Sequence, residues 1–422
     1  MVQITGTPTQ AGTYTFTLQA TDGAAHVATV VLTIVVTAED LPTGGGPAPP
    51  KRWLFTLNAP QPDGSQLAAI GQSGPRQLIV RQAPGEHHEA SFDIQGTDVA
   101  SLATTGKELA ADVQVWLEGK ILFCGRLGLE RDANDGTGPR FNPTAYDYRE
   151  VLRRRNFAAI TPPSYSGSDR GFIAWNMISL TQGLTGGNLG IARGLNPTVG
   201  LVSTAAYTKD SFVGVEIDNL AQMDAAGFDW DVVPHGPADL RLDLWPGGRG
   251  TDKGVILEWG GPLLASYTRV TDPSEYGNTL LLSTTGGASP INPVYLQAAD
   301  LATRPEGRWD LAVGTQLTTS DALATAGPWY LGQSQVVNPT YTLVMRAGAW
   351  QGPDHVWIGD LVHVRIKDGR LAVDDLLPVS ELQFDIDAQN IEVVTVTAGR
   401  SAFKYRHPIA RILRRLAALE TI

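Results

Sequence analysis

"DVQVWLEGKILFCGRLGLERD", Asp112 to Asp132, decides the fold by its spacing. Val113, Val115 and Leu117 alternate with Gln114 and Trp116, and Ile121, Phe123, Leu127 and Leu129 continue on one face after Glu118-Gly119. A period of two is that of a strand, and an Xaa-Gly pair between two such runs is a hairpin turn. Gly125 interrupts the second run and marks an expected bulge. On the N-terminal side stand three more short strand patterns, "RWLFTLNA", "RQLIVRQ" and "EASFDIQ", so residues 53–160 read as a β meander or barrel.

A related pattern returns in "WIGDLVHVRIKDGRLAVDD", where Val362, Val364 and Ile366 lead into Asp368-Gly369 and Leu371 and Val373 lead out. "SELQFDID" and "NIEVVTVTAG" follow it, and residues 261–403 form a second β module. Between the two lies a mixed segment, 161–260. Ile173, Met177, Leu180 and Leu184 recur at helical spacing, as do Val213, Ile217 and Leu220, with Asp210 as candidate N-cap and Gly227 as the stop. "GFDWDVVP" alternates Phe228, Trp230 and Val232 with Asp229 and Asp231, a strand with an expected wet, charged face.

Two further pieces flank this body. Residues 1–40 contain a hairpin: Tyr14, Phe16 and Leu18 form one row against Thr13, Thr15 and Thr17, Thr21-Asp22-Gly23 turns, and Val27 to Val36 is β-branched. A lone hairpin is marginally stable in water, so this row is expected to be completed by strands from another chain. The Gly/Pro run at 41–52 is a linker. At the other end, 404–422 reads as an amphipathic helix, with Ile412, Leu413 and Leu416 on its apolar side and Arg411, Arg414 and Arg415 opposite. Both rows are candidate protein interfaces.

Composition narrows the possible functions. A formal charge of −11 argues against specific nucleic-acid binding, which relies on Lys and Arg to displace counterions. Cys124 is the one cysteine, so no internal disulfide and no cysteine-based zinc site can form. No apolar run is long enough for a membrane span, and no basic n-region marks a signal peptide.

Clusters that carry chemistry elsewhere lack the right spacing here. His87 and His88 with Glu86 and Glu89 are neighbours in sequence, which on a strand sends them to opposite faces, so they read as a solvated loop and no metal or other cofactor is expected. "GLTGGNLGIARG" lacks the Lys-Ser/Thr ending of a phosphate loop and reads as a connection. Asp224, Asp229 and Asp231 could supply a glycosidase pair only across a cleft, and Asp229 and Asp231 read instead as strand surface. With no Gly-x-Ser-x-Gly elbow and no activated cysteine, no catalytic residue is assigned and the chain is not expected to be an enzyme. Arg149, Arg153, Arg154 and Arg155 in "YREVLRRRNF" lack interleaved aromatics and are expected to pair with an acidic neighbouring subunit.

From Trp53 to Arg400, "WLFTLNA", "VWLEGKILFCGRL" followed by "AYDYREVLRRRNF", "GGNLGIARG", "AAGFDWDV", "EYGNTLLLS", "PEGRWDLAV" and "WIGDLVHVRI" carry a resemblance. In their order and spacing they resemble the minor tail proteins that form the baseplate hub of long-tailed phages, especially those of actinobacteria. The resemblance implies a mainly β protein with a mixed α+β middle segment and two tail-tube-like β-barrel modules. It further implies a homotrimer at the tail tip of the virion, joining the tail tube and distal tail proteins to a central fibre or spike around the DNA channel. "GTPTQAGTYTFTLQATD" separately resembles the last strands of an immunoglobulin-like domain, here without its earlier strands. The competing reading is a cell-wall or carbohydrate-binding β protein using Trp230, Trp245 and Trp259; an enzyme acting on peptidoglycan ranks behind it.

Overall fold

The computed structural model describes residues 12–21, 27–36, 53–70, 75–82, 86–95, 111–129, 132–134, 139–221, 227–273, 276–284, 293–315, 327–328, 330–332, 334–335, 339–387 and 389–399. The chain forms two compact units, Met1–Pro49 and Pro50–Ile422. In the first, β1 (Gly12–Thr21) and β2 (Val27–Val36) pair antiparallel without a bulge, from Gly12 opposite Val36 to Thr21 opposite Val27.

The larger unit begins with β3 (Trp53–Asn58), β4 (Gln66–Ala69), β5 (Arg76–Arg81), β6 (Glu89–Phe92), β7 (Ile94–Gln95), β8 (Asp112–Leu117), β9 (Lys120–Leu129), β10 (Asp132–Asn134), β11 (Pro139–Phe141) and β12 (Thr144–Asp147). The β8–β9 turn is the Glu118-Gly119 pair, both with positive φ (49° and 84°), the backbone that a two-residue hairpin of matching twist requires. Gly125 is not the bulge. The pairing slips at Leu122 against β8 and at Gly128 against β12, and Leu122 rather than Ile121 packs on the core. Gly125 serves a close approach instead, since a Cβ there would run into the Tyr146 carbonyl and the Phe123 ring.

The helical segment comprises α1 (Tyr148–Arg153), β13 (Ser164–Asp169), α2 (Arg170–Gln182), β14 (Ile191–Arg193), β15 (Val202–Ala206), α3 (Val213–Ala221), β16 (Phe228–Gly236) and β17 (Asp239–Pro246). Asp147 and Asp169 cap α1 and α2 by accepting from first-turn N–H groups. Asp210 does not cap α3, which starts three residues later at Val213. Ile173, Met177, Val213, Ile217 and Leu220 are buried together with β16 and β17 residues in a second core, whereas Leu180 is exposed.

The remaining strands are β18 (Asp252–Glu258), β19 (Leu264–Val270), β20 (Thr279–Thr284), β21 (Val294–Gln297), β22 (Asp310–Thr315), β23 (Thr340–Met345), β24 (Leu361–Asp368), β25 (Leu371–Ile386) and β26 (Glu392–Ala398). The β24–β25 turn is Gly369-Arg370, one residue later than Asp368-Gly369. Strands β20 to β22 form a small sheet of their own between β19 and β23.

The two β regions do not form two closed barrels among the described residues. They share one open thirteen-stranded sheet, in the order β19-β23-β26-β25-β5-β6-β12-β9-β8-β3-β4, with β24 on β25 and β18 parallel to β24. The seam is β5 against the second half of β25, from Arg81 opposite Glu381 to Arg76 opposite Ile386. Its apolar row, Leu78, Val80, Leu382 and Phe384, faces a single core that takes Trp53, Phe55 and Phe123 from the first region and Trp350, Val362 and Val394 from the second. Phe384 lies 5.4 Å from Trp53 and 4.7 Å from Trp350 between ring centres. Full burial of each such side chain contributes about 1.5–3 kcal/mol, so this seam joins the halves energetically as well as topologically.

Candidate functional site

The densest group of charged side chains lies where the sheet meets the helical segment. His88 immediately precedes β6 and is 7% exposed, a buried residue rather than one of a solvated loop. The Arg81 backbone N–H donates to His88 Nδ1 at 2.9 Å, which leaves the ring proton on Nε2, 2.9 Å from Asp231 Oδ2. The His88 N–H in turn donates to Asp147 Oδ2 at 3.0 Å, while Asp147 Oδ1 caps α1. The imidazole thus links β5 to β16, and the backbone N–H of the same residue holds the start of α1.

Asp231 is equally enclosed, so the strand face expected to be wet is covered at this position. Arg249 Nη1 donates to Asp231 Oδ2 at 2.8 Å, and its guanidinium lies 4.3 Å from the Trp245 ring centre. Burial pushes the Asp231 carboxyl up, but His88, Arg249 and Arg149 outweigh it and hold the group well below the usual carboxylate range. Asp229 accepts from Gln82 Nε2 at 2.6 Å and from the Arg249 N–H at 2.7 Å. Asp224 lies outside the described residues.

Arg149, Arg153 and Arg155 of "YREVLRRRNF" serve this junction within the chain, whereas Arg154 is exposed at the end of α1. Arg149 is buried with its guanidinium 5.1 Å from the Trp230 ring centre, and Trp230 Nε1 donates to Asp218 Oδ1 at 2.9 Å. Arg153 pairs with Asp218 at 2.9 Å and donates to the Glu86 carbonyl; Arg154 pairs with Glu150; Arg155 donates to the Thr181 carbonyl in the last turn of α2 and to the Gly187 carbonyl of the glycine-rich connection. Trp230, 5% exposed and held on both sides, cannot serve as a sugar-stacking platform; Trp245 lies under Arg249, and Trp259 alone of the three is well exposed.

His88, Asp147 and Asp231 bring three ligand atoms within 4.8 Å, the spacing of a metal site. The donor chemistry does not fit one. With Nδ1 occupied by the Arg81 N–H, the Nε2 lone pair is not available, and Arg249 and Arg149 already supply cationic charge to Asp231. Sequence spacing gave no sign of this cluster, because its members are separated by up to 143 residues.

A second buried polar group ties the same layers. Asp112 on β8 accepts from Tyr148 Oη at 2.6 Å, Arg126 Nε at 2.7 Å and the Gln61 N–H at 2.9 Å. Gln61 and Gln114 both donate to the Pro237 carbonyl at the β16–β17 turn, at 2.6 and 2.7 Å. Cys124 faces this layer, and burial pushes its thiol well up, away from the reactive thiolate.

An open groove of about 390 Å³ runs beside the seam, lined by Arg76, Gln77, Ser91, Phe92, Asp385 and Ile391 among others. Asp385 accepts from Gln77 and Gln383, and Arg76 donates to the Asp387 carbonyl and Asn390, so the lining groups are held by one another and no nucleophile–base pair converges there. Of the interface candidates, Tyr14, Phe16 and Leu18 lie on β1, for which the backbone alone is described. Ile412, Leu413, Leu416, Arg411, Arg414 and Arg415 lie outside the described residues. Among the described residues no helix is long and apolar enough to cross a membrane.

No protein-family model matches the chain, and no curated protein matches it in sequence. Solved structures do match. The tail protein from Neisseria meningitidis MC58 superposes with a TM-score of 0.56 at 12% identity, covering 83% of this chain and 97% of that one. The 43 kDa tail protein of prophage MuSo2 from Shewanella oneidensis gives 0.59 at 12% identity, covering 82% and 98%. Nearly the whole of both proteins is therefore matched, and the chain shares their tail-protein fold.

Proposed function

We propose that the chain is a structural protein of a phage tail, acting as the hub at the tail tip. The observation that carries this reading is the extent of the fold match, which takes in almost all of two tail proteins. In the finer form of the reading, three copies surround the DNA channel, with the tail tube and distal tail proteins on one side and a central fibre or spike on the other. The work is packing and symmetry matching, with no bond made or broken; no cofactor enters. A surface of net charge −11 suits a passage that DNA crosses without adhering. The row Tyr14, Phe16 and Leu18 completes a sheet with a neighbouring chain, and Ile412, Leu413 and Leu416, backed by Arg411, Arg414 and Arg415, dock against a neighbour.

Purified particles encoding an epitope-labelled chain test this directly. Label at the tip of every tail, opposite the head, is the expected result. Particles that assemble and infect with the chain absent, or carrying it along the tail shaft, overturn the reading.

A further inference from the structure

Trp309, immediately before β22, leaves 48% of its surface in water, yet the ring is not loose. Its indole N–H donates to the Glu306 carbonyl at 3.0 Å and its backbone N–H to Asn278 Oδ1 at 2.8 Å. Asn278 is fully buried, and its Nδ2 donates to the Gly307 carbonyl at 2.6 Å, so one side-chain amide clamps the turn that presents the indole at two points. Tyr276 stands edge-on to that indole, 6.1 Å away between ring centres at an interplanar angle of 74°. With its N–H already used, Trp309 offers a π face in a fixed orientation, and covering it loses little side-chain entropy.

Tyr276 also connects the ring to a group of charges. Its hydroxyl donates to Glu306 Oε1 and accepts from Arg304 Nη1 at 3.0 Å. Arg304 further donates to Asp300 Oδ1 at 2.8 Å and to Gln335 Oε1 at 2.6 Å, which fixes the plane of its guanidinium. On either side of Trp309 in the chain, Arg308 and Asp310 pair with each other at 2.9 Å. The indole is therefore rimmed by donors and acceptors that are already held in place and already paired in charge.

The geometry points to a binding site for an uncharged saccharide, with Trp309 as the stacking platform and Glu306 and Arg304 as the groups that meet its hydroxyls. A pyranose ring presents a face of C–H bonds with slight positive charge, which suits the negative face of an indole, and hydroxyls at its edge that both donate and accept. Glu306 supplies the acceptor and Arg304 the donor. The charge count selects a neutral ligand: two arginines stand against three acids, paired among themselves, and exert little net field on an ion. A protein partner fits less well. The centre of a protein interface is depleted of charge, and covering these ion pairs with apolar surface would remove their hydration without replacing it. Sugar hydroxyls replace it.

The test uses the full chain, titrated by calorimetry with maltohexaose, cellohexaose and chitohexaose. Saturable binding to at least one of the three is expected, accompanied by a change in tryptophan fluorescence. Trp309→Ala is expected to weaken that binding about tenfold or more with unchanged circular dichroism and melting, and Trp309→Phe to retain most of it. Glu306→Gln, which keeps the ring and alters the rim, is expected to weaken it by a smaller factor, and Trp259→Ala, an exposed indole elsewhere, to leave it unchanged. No saturable binding to any of the three sugars, binding that survives Trp309→Ala, or binding lost in Trp259→Ala instead overturns the proposal. So does an unaltered chain that ignores all three sugars while Trp309→Ala strips a neighbouring protein from assembled particles, which would make this face a protein contact. The titration is made on the purified chain, so the sugar site and the tail role stand or fall separately.

Discussion

Asp231 accepts from His88 and Arg249 in a place that solvent does not reach, and Arg149 lies behind it. Asp231→Asn keeps the shape but removes the charge that compensates two arginines. Breaking a buried pair in this way costs about 3–5 kcal/mol, because the remaining cation stays buried. Urea unfolding monitored by tryptophan fluorescence should show a midpoint shift of that size; an unchanged midpoint would mean that Asp231 is not the keystone of the junction. Glu89 gives a milder, pH-dependent case. Its hydrogen bond to His87 and its pairing with Arg81 hold its pKa at about 2, against an ordinary 4.5, despite partial burial that pushes the other way. A depressed folded-state value means that the carboxylate stabilises the fold above pH 4.5 and that this contribution is lost as pH falls towards 2. The slope of stability against pH in that window should be shallower in Glu89→Gln. Equal slopes would show that the acid sensitivity arises elsewhere.

At the scale of elements, the sequence was readable wherever a strand or helix has one covered face. The hairpin at Glu118-Gly119 and the row Val113, Val115 and Leu117 were visible because β8 alternates against the main core. It was less readable where both faces are covered. Asp112, Gln114 and Asp231 are polar residues in alternation, which locally reads as a wet face; their partners Tyr148, Pro237 and Arg249 arrive from distant parts of the chain. Only a long-range polar network satisfies such groups, and periodicity carries no trace of it. The bulge was misplaced for a related reason. Glycine marks both bulges and close approaches, and at Gly125 it is the neighbouring strand β12 that needs the space. Gly125→Ala should therefore cost roughly 1–3 kcal/mol, by forcing β12 away from β9. A neutral result in thermal melting would mean that the sheet can yield there. Phe384→Ala at the seam removes a ring packed on Trp53 and Trp350 and should cost about 3–5 kcal/mol.

For the whole molecule, the decisive feature is that β5 and β25 pair across some 300 residues of chain. Two β modules read separately would each have its own core and melt independently. Here the Leu78, Val80, Leu382 and Phe384 row belongs to one core shared by both, and the β20–β22 sheet is inserted in the chain between β19 and β23, which pair directly with each other. The helical segment has its own apolar core, yet it is tied to the sheet through His88, Asp231 and the Asp112 group, whose members are buried and hydrogen-bonded across the boundary. Cooperative unfolding requires that losing one part exposes enough of another to destabilise it, and both couplings meet that condition. Calorimetry of the full chain should thus show one main transition for residues 50–422, with calorimetric and van't Hoff enthalpies in agreement. Asp231→Asn should loosen the second coupling and leave the first, so that the helical segment begins to melt ahead of the sheet and the single peak broadens or splits. Phe384→Ala should instead lower the whole transition without dividing it. Two well-separated peaks in the unaltered protein, one for each β region, would refute the shared core as the source of cooperativity and restore the picture of independent modules.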